Sequence, residues 1–238
     1  MNKTVHEFAR EYWKISNDEY RYWRDLEKNK PKSLNALYND ALQKWKDYGG
    51  KNIEDFYLTS DIYSKGTVFK EQEEYRGTSD SCGCFNGDVI KCVGSECETF
   101  LDYGCGVGWK TINFYEKGFK VTLADLNTPL FKMIQAYYKF LKYDMKFLVL
   151  TDSPLKENYD IIYCEQVLQH TPKADETLKS ILSHCNHYIY IGGTGVNKNT
   201  IHVQSNSDII NNPVVFNQII NDAGFYETEI GLLYRRKE

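Results

Sequence analysis

A glycine-rich turn between an apolar segment and a helical segment restricts the fold of this chain more than any other feature. It lies in Phe100-Leu-Asp-Tyr-Gly-Cys-Gly-Val-Gly108, where an apolar strand is followed by three closely spaced glycines. Glycine permits a sharp turn and lets a ligand lie against the main chain. A helix predicted over Trp109–Lys117 directs its first amide groups at the same place. The stretch therefore predicts a ligand site at the end of a strand.

Short apolar runs alternate with helical stretches from Thr99 onward. The predicted strands are Thr99–Tyr103, Lys120–Ala124, Lys146–Leu150, Tyr159–Cys164 and His187–Ile191, and the predicted helices are Trp109–Lys117, Thr128–Leu141, Lys173–His184 and Pro213–Ala223. This alternation implies right-handed crossovers and a parallel sheet with helices on both faces. The expected fold class is α/β, with a doubly wound, mostly parallel sheet.

The chain before this region is predicted to be helical. Asn17 and Asp18 are the expected caps of a helix over Glu19–Glu27, and Asn52–Tyr63 is predicted as a further helix. We therefore expect two domains, an N-terminal helical cap with a Cys-rich loop over residues 1–98 and a core over residues 99–238. The cap is expected to lie on the substrate side.

Charge and hydropathy limit the partners of the chain. Its 29 Lys and Arg residues against 33 Asp and Glu residues give a net charge of -4, so nucleic acid is not an expected partner. The sequence lacks a run of eighteen apolar residues, and no membrane span is predicted. Met1–Arg10 lacks the apolar stretch of a signal peptide, and we expect a cytoplasmic protein.

Four cysteines lie close together in the sequence, at Cys82, Cys84, Cys92 and Cys97, the first three within a predicted loop or hairpin over Gly77–Gly94. Their C-x-C-x7-C-x4-C spacing differs from the paired C-x2-C usual in zinc sites. The chain has seven cysteines, an odd number, which favours reduced thiols. No metal is predicted, and a structural zinc is the alternative.

The three glycines read G-x-G-x-G, whereas a dinucleotide fingerprint reads G-x-G-x-x-G. The stretch resembles motif I of class I S-adenosylmethionine-dependent methyltransferases, whose loop holds the methionine part of the cofactor. The resemblance implies a Rossmann-like fold and S-adenosylmethionine as the cofactor. It also implies that the residues in contact with the cofactor include Asp102, Gly104, Cys105 and Gly106.

Later segments extend this resemblance in the family's order. A carboxylate at the end of the second strand, Asp125, is implied to accept both ribose hydroxyls, with Leu126 beside it. Asp152 and Ser153 follow the third strand, where the family places an acid near the adenine amino group. Ala223-Gly224-Phe225 resembles the family's A-G-F turn before a terminal hairpin, which is expected to be short here.

The segment after the fourth strand, Cys164–His170, is similar to the family's E-x-L-E-H segment. It adds Glu165 as a further cofactor residue and His170 as the candidate catalytic base, since His titrates near neutrality. A His that only holds a loop is the alternative. Gln169 stands where the family has an acid, and no divalent metal is predicted.

Each predicted carboxylate has a simpler structural explanation. Asp102 could cap the turn, Asp125 could be a surface carboxylate, and Asp152 could serve a polar turn. Glu165 could be an acid in the first turn of a helix.

The sequence thus predicts a methyltransferase that moves a methyl group from S-adenosylmethionine to an oxygen or nitrogen. The signature motifs of DNA amino, cytosine-C5 and arginine methyltransferases are absent, which favours a small-molecule substrate. Protein or RNA methylation, a non-catalytic binder or partner subunit, and a nicotinamide oxidoreductase are the alternatives. The oligomeric state is left open.

Overall fold

The computed structural model describes residues 3–25, 34–47, 49–50, 53–70, 89–151, 155–192 and 212–237. They form two compact units. The first comprises Met1–Thr78 and Leu126–Asp144, and the second comprises Ser79–Asp125 and Met145–Glu238. The predicted domain boundary after residue 98 stays a prediction.

The helices and strands follow one another in the order predicted from Thr99 onward. The described helices are α1 (Val5–Tyr12), α2 (Asn17–Asp25), α3 (Leu34–Asp47), α4 (Ile53–Thr59), α5 (Asp61–Lys70), α6 (Thr111–Glu116), α7 (Pro129–Phe140), α8 (Ala174–Ser183) and α9 (Pro213–Asp222). The strands are β1 (Thr99–Tyr103), β2 (Lys120–Asp125), β3 (Lys146–Val149), β4 (Tyr159–Glu165), β5 (Cys185–Gly192), β6 (Phe225–Glu227) and β7 (Leu233–Arg236), and a 3₁₀ helix covers Leu168–His170. No helix in the described part of the chain is long and apolar enough to cross a membrane.

Aromatic side chains hold the first, helical unit together. Phe8 on α1 packs against Tyr137 and Phe140 on α7, with ring centroids 5.4 and 5.3 Å apart. Phe69 on α5 meets the rings of His6 and Tyr20 edge to face. Such pairs add to the free energy gained from burial, so these ring contacts help to hold the helices of this unit together.

Two predictions about the N-terminal helices are wrong in detail. The helix predicted from Glu19 begins at Asn17, and its cap is Ser16, whose hydroxyl accepts the Glu19 N–H at 3.1 Å. The single helix predicted over Asn52–Tyr63 is two helices, α4 and α5. The chain breaks at Ser60, because this hydroxyl accepts a backbone N–H at the start of α5.

The second unit is built on a seven-stranded sheet in the order β3-β2-β1-β4-β5-β7-β6. The first five strands in this order are parallel, and β7 pairs antiparallel with both β5 and β6. This confirms the predicted mostly parallel sheet. The terminal hairpin of β6 and β7 is short, as expected.

Helices cover both faces of the sheet. On β1, Phe100 stacks on Phe114 of α6 with ring centroids 3.9 Å apart. The next residue, Leu101, points to the opposite face, because side chains alternate along a strand. There it joins a buried cluster with Leu178 of α8 and Phe216 of α9. The predicted layers are therefore present within this unit.

The cysteine cluster is only partly covered by the structure, since Cys82 and Cys84 lie outside the described residues. Residues 89–92 are helical, whereas a loop was predicted up to Gly94. Cys92 is exposed, and Cys97 is buried, which raises the pKa of its thiol to about 12. Within the described ranges, no group of three metal-binding side chains gathers. The prediction of free thiols rather than zinc stays a prediction.

Candidate functional site

The glycine turn folds back onto the end of the neighbouring strand β2. The amides of Gly104 and Cys105 both donate to the Ala124 carbonyl, at 2.8 and 3.0 Å. Gly104, Gly106 and Gly108 all have φ between +53° and +74°, the left-handed region that favours glycine. The predicted sharp turn is therefore present at the carboxyl end of β1.

Asp125, the last residue of β2, reaches into this turn. Its Oδ2 accepts the Gly106 N–H at 2.8 Å, and the Cys105 thiol lies 4.0 Å from the same oxygen. Burial, followed by the charges of Asp125 and Asp102, raises the pKa of Cys105 well above its usual range. The thiol is thus a neutral group beside the carboxylate and is not activated as a nucleophile.

Asp102 lies inside the unit, with only 4% of its surface exposed. Its Oδ2 accepts a hydrogen bond from the hydroxyl of Thr111, the first residue of α6. Burial raises the pKa of Asp102 to about 7, and the negative charges of Asp125 and Glu165 act in the same direction. The Thr111 hydrogen bond and Lys110 oppose this shift. Asp102 joins β1 to α6 as a carboxyl group that titrates near neutrality.

Glu165 ends β4 and belongs to a three-residue polar cluster. Lys110 Nζ donates to Glu165 Oε2 and, at 2.7 Å, to the Tyr163 hydroxyl, which itself donates to Glu165 Oε2. Burial, followed by the charge of Glu165, raises the pKa of Tyr163, so its hydroxyl stays protonated. Glu165 lies in a strand, so the structural explanation that it is an acid in a helical first turn does not apply.

The segment after β4 makes a strained turn. Gln166 is a non-glycine residue with φ +57°, and its N–H donates to the Gly192 carbonyl at 3.0 Å. Gln169, which replaces the family's acid, is fully buried and donates from Nε2 to Gln166 Oε1 at 2.6 Å. His170 ends the 3₁₀ helix, half-buried. Strained backbone of this kind is concentrated at functional sites.

The structure brings part of the predicted site together. The turn of Gly104, Cys105 and Gly106 contacts Asp125 directly, and Asp102 and Glu165 lie on the adjacent strands β1 and β4. Leu126 follows Asp125, and its carbonyl accepts the N–H of Thr128. Asp152 and Ser153 fall outside the described residues, so their predicted contacts stay predictions.

Lys110 and Tyr163 were not predicted from the sequence as site residues. Tyr163 lies two residues before Glu165, and side chains at this spacing share one face of a strand. This two-residue spacing could have identified Tyr163 from the sequence as a neighbour of Glu165. Lys110 follows the glycine turn closely, but its partner is 55 residues away in the sequence. Only the pairing of β1 with β4 in the folded sheet shows that Lys110 and Glu165 meet.

A sequence profile of the family described as "Methyltransferase domain" matches residues 67–192, more than half of the chain. The chain belongs to this methyltransferase-domain family. The match covers the glycine turn, β1 to β5 and the candidate base. A comparison of the methyltransferase with curated proteins found no match.

Two solved structures share the fold of the methyltransferase. Magnesium protoporphyrin IX methyltransferase from Synechocystis PCC 6803 with bound SAH is 15% identical, with a TM-score of 0.57 over 78% of this chain and 98% of that chain. The same enzyme with bound SAM is 16% identical, with a TM-score of 0.52 over 88% of this chain and all of that one. The predictions of a Rossmann-like fold and of a class I S-adenosylmethionine-dependent methyltransferase are confirmed.

Proposed function

We propose that this methyltransferase transfers the methyl group to an oxygen or nitrogen of a small molecule, with the glycine turn and Asp125 holding the cofactor. The observation that carries the proposal is the hydrogen bond from the Gly106 amide to the Asp125 carboxylate. It joins the two segments that the family resemblance assigns to the methionine and ribose parts of the cofactor.

The turn has the shape that a ligand against the main chain requires. At Gly106, the position that a Cβ atom would take has no heavy atom within 4 Å. A ligand can therefore approach the backbone here, as glycine permits. Asp125 adds a carboxylate that only accepts hydrogen bonds, which suits ribose hydroxyls. These residues fit S-adenosylmethionine.

When bound, S-adenosylmethionine supplies an electrophilic methyl group on a sulfonium. The chain's own contribution is to orient the reactants and to exclude water. In this proposal, Gly106 and Asp125 orient the cofactor, and His170 accepts the proton of the attacking hydroxyl or amine. The Gln166–Gln169 hydrogen bond holds the backbone turn that leads from β4 to His170.

The acceptor class rests on charge and on absent motifs. A net charge of -4 disfavours a polyanionic acceptor such as RNA or DNA. The motifs of DNA and arginine methyltransferases are missing from the sequence, and a small molecule is the acceptor that remains favoured. Location in the cytosol stays a prediction, and the oligomeric state is not part of the proposal.

Replacing Asp125 with alanine is expected to weaken binding of S-adenosylhomocysteine by about 10- to 100-fold, because charged hydrogen bonds are lost. Calorimetric titration of the wild type and the variant measures this, with NAD titrated in parallel. Asp222→Ala is the matched control, since this exposed carboxylate on α9 accepts a hydrogen bond only from Gln218 within the described residues. Preference of the wild type for NAD would contradict the cofactor assignment.

Replacing His170 with alanine is expected to lower turnover by about 100-fold while cofactor affinity changes less than twofold, since a general base contributes about 10²–10⁴. A screen of hydroxyl- and amine-bearing small molecules that detects S-adenosylhomocysteine formation provides the substrate for this test. His184→Ala is the control, because this His caps α8. Unchanged turnover would show that His170 is structural. A wild type that binds the cofactor but methylates nothing in the screen would favour the non-catalytic alternative.

A further inference from the structure

The Lys110–Glu165 ion pair lies at the same edge of the sheet as the glycine turn. Glu165 is the last residue of β4, and Lys110 directly precedes α6, two residues after Gly108. Because β1 and β4 are adjacent and parallel, their carboxyl ends share one edge. This edge is where open parallel sheets bind their ligands.

The pair is more enclosed than the other Lys–Glu pairs among the described residues of this unit. The Lys110 and Glu165 side chains are 23% and 28% exposed, whereas those of Lys120 and Glu98 are 74% and 67% exposed. Removing charges from water is unfavourable, and a partly enclosed ion pair is weak evidence of a purely stabilising role. At the edge of the sheet where ligands bind, a charged ligand group would offset the cost of partly burying Lys110 and Glu165.

Neighbouring side chains fix the orientation of the Glu165 carboxylate. Both described donors, Lys110 Nζ and the Tyr163 hydroxyl, contact Oε2. Tyr163 is itself held by Tyr190, whose ring stacks on it 4.9 Å away at an interplanar angle of 6°. In the described part of the chain, no hydrogen bond reaches Glu165 Oε1. This oxygen can accept hydrogen bonds from a cationic ligand group.

We propose that Lys110 and Glu165 form a charge-paired site for the amino-acid end of the cofactor, in which Lys110 binds its carboxylate and Glu165 binds its ammonium group. A zwitterion beside an ion pair alternates four charges, so each charge has an opposite neighbour and the net charge stays zero. A ligand without both charges cannot complete this arrangement. The inference rests on the proposed cofactor role and adds Lys110 as a binding residue.

Two ligands that differ only in this end of the molecule separate the site from the rest of the cofactor pocket. S-adenosylhomocysteine carries the amino-acid end, and 5′-methylthioadenosine shares the adenosine and thioether but lacks it. We would titrate both by calorimetry into the wild type, Lys110→Met and Glu165→Gln. Matched controls are Lys120→Met and Glu157→Gln, which remove one partner from the exposed pairs Lys120–Glu98 and Lys146–Glu157.

The expected result is a loss of S-adenosylhomocysteine affinity of about 10- to 100-fold in Lys110→Met and Glu165→Gln. Affinity for 5′-methylthioadenosine should stay within about twofold, and the two controls should match the wild type. Lys110→Arg, which keeps the charge, should recover most of the lost affinity.

Equal losses for both ligands would overturn the inference, since they would mean that the pair only supports the fold. Unchanged S-adenosylhomocysteine affinity in Lys110→Met would overturn it as well. A wild type that binds neither ligand would instead refute the proposed cofactor role, and the inference would fall with it.

Discussion

Replacing Gly104 with alanine is expected to lower the free energy of unfolding by about 3 kcal/mol, or roughly 6–12 °C in Tm. A Cβ atom built at Gly104 lies 2.3 Å from Cγ2 of Val167 and 3.0 Å from its Cγ1. Rotating Val167 moves its two methyl groups but leaves its Cβ 3.3 Å from the new atom, a tight contact that still requires a shift of a few tenths of an ångström. Overpacking of this kind costs about 1–3 kcal/mol. The φ of +74° adds the strain of a left-handed alanine, about 1–2 kcal/mol.

Gly106 provides the matched control for Gly104, since it lies in the same turn at φ +53° with no atom near its Cβ position. Gly106→Ala should therefore lower the free energy of unfolding only by the strain of a left-handed alanine, about 1 kcal/mol. Chemical unfolding of both variants therefore separates the backbone strain from the steric overlap with Val167. Adding Val167→Ala to Gly104→Ala should recover about 1–2 kcal/mol, because both Cγ atoms are removed and only the 3.3 Å contact with Cβ remains. Equal destabilisation by Gly104→Ala and Gly106→Ala would contradict this account.

The sequence predicted this turn well because its determinants are local. An apolar run that ends in closely spaced glycines specifies both the strand and its end, and β1 has the predicted bounds Thr99–Tyr103. Helix α7 was predicted within a residue at each end, since Thr128 caps it and Pro129 starts it. Residues within a few positions of each other decide these features.

Features that depend on distant pairing were not predicted. Strand β5 begins at Cys185 rather than at the predicted His187, and its pairing with β4 shifts register near Tyr159. The Lys110–Glu165 pair arises only when β4 is placed beside β1. The sequence also cannot show the environment of a side chain. Asp102 was identified as a site residue, but its raised pKa follows from a burial that only the folded structure provides.

Replacing Asp102 with asparagine is expected to stabilise the protein above pH 7 and to leave its stability nearly unchanged near pH 4. Burial raises the pKa of Asp102 to about 7 in the folded chain, whereas an unfolded Asp has a pKa of about 3.9. Between these values the folded chain binds a proton that the unfolded chain has released. Stability therefore falls as pH rises through this window and levels off above pH 7.

Asparagine cannot ionise, and its carbonyl oxygen can still accept the hydrogen bond from the Thr111 hydroxyl. The advantage of Asp102→Asn should grow by about 1.4 kcal/mol per pH unit between pH 5 and pH 6.5. It should reach about 4 kcal/mol at pH 8. Urea unfolding of the wild type and Asp102→Asn at pH 5, 6, 7 and 8 measures the difference in their free energies of unfolding. The other titrating groups are the same in both proteins, so their contributions cancel in this difference.

Asp160→Asn is the matched control for Asp102→Asn, because Asp160 has the opposite shift. Burial acts to raise its pKa, but hydrogen bonds from Asn186 and from the Glu98 and Thr99 amides outweigh burial and lower the pKa to about 2. Its contribution to stability is complete above pH 4 and is lost as the pH falls toward 2. Asp160→Asn should thus destabilise by the same amount from pH 5 to pH 8. If the difference in free energy of unfolding between Asp102→Asn and the wild type is as independent of pH from pH 5 to pH 8 as that of Asp160→Asn, Asp102 is ionised throughout. That result would mean that favourable contacts to the carboxylate outweigh the cost of burying its charge.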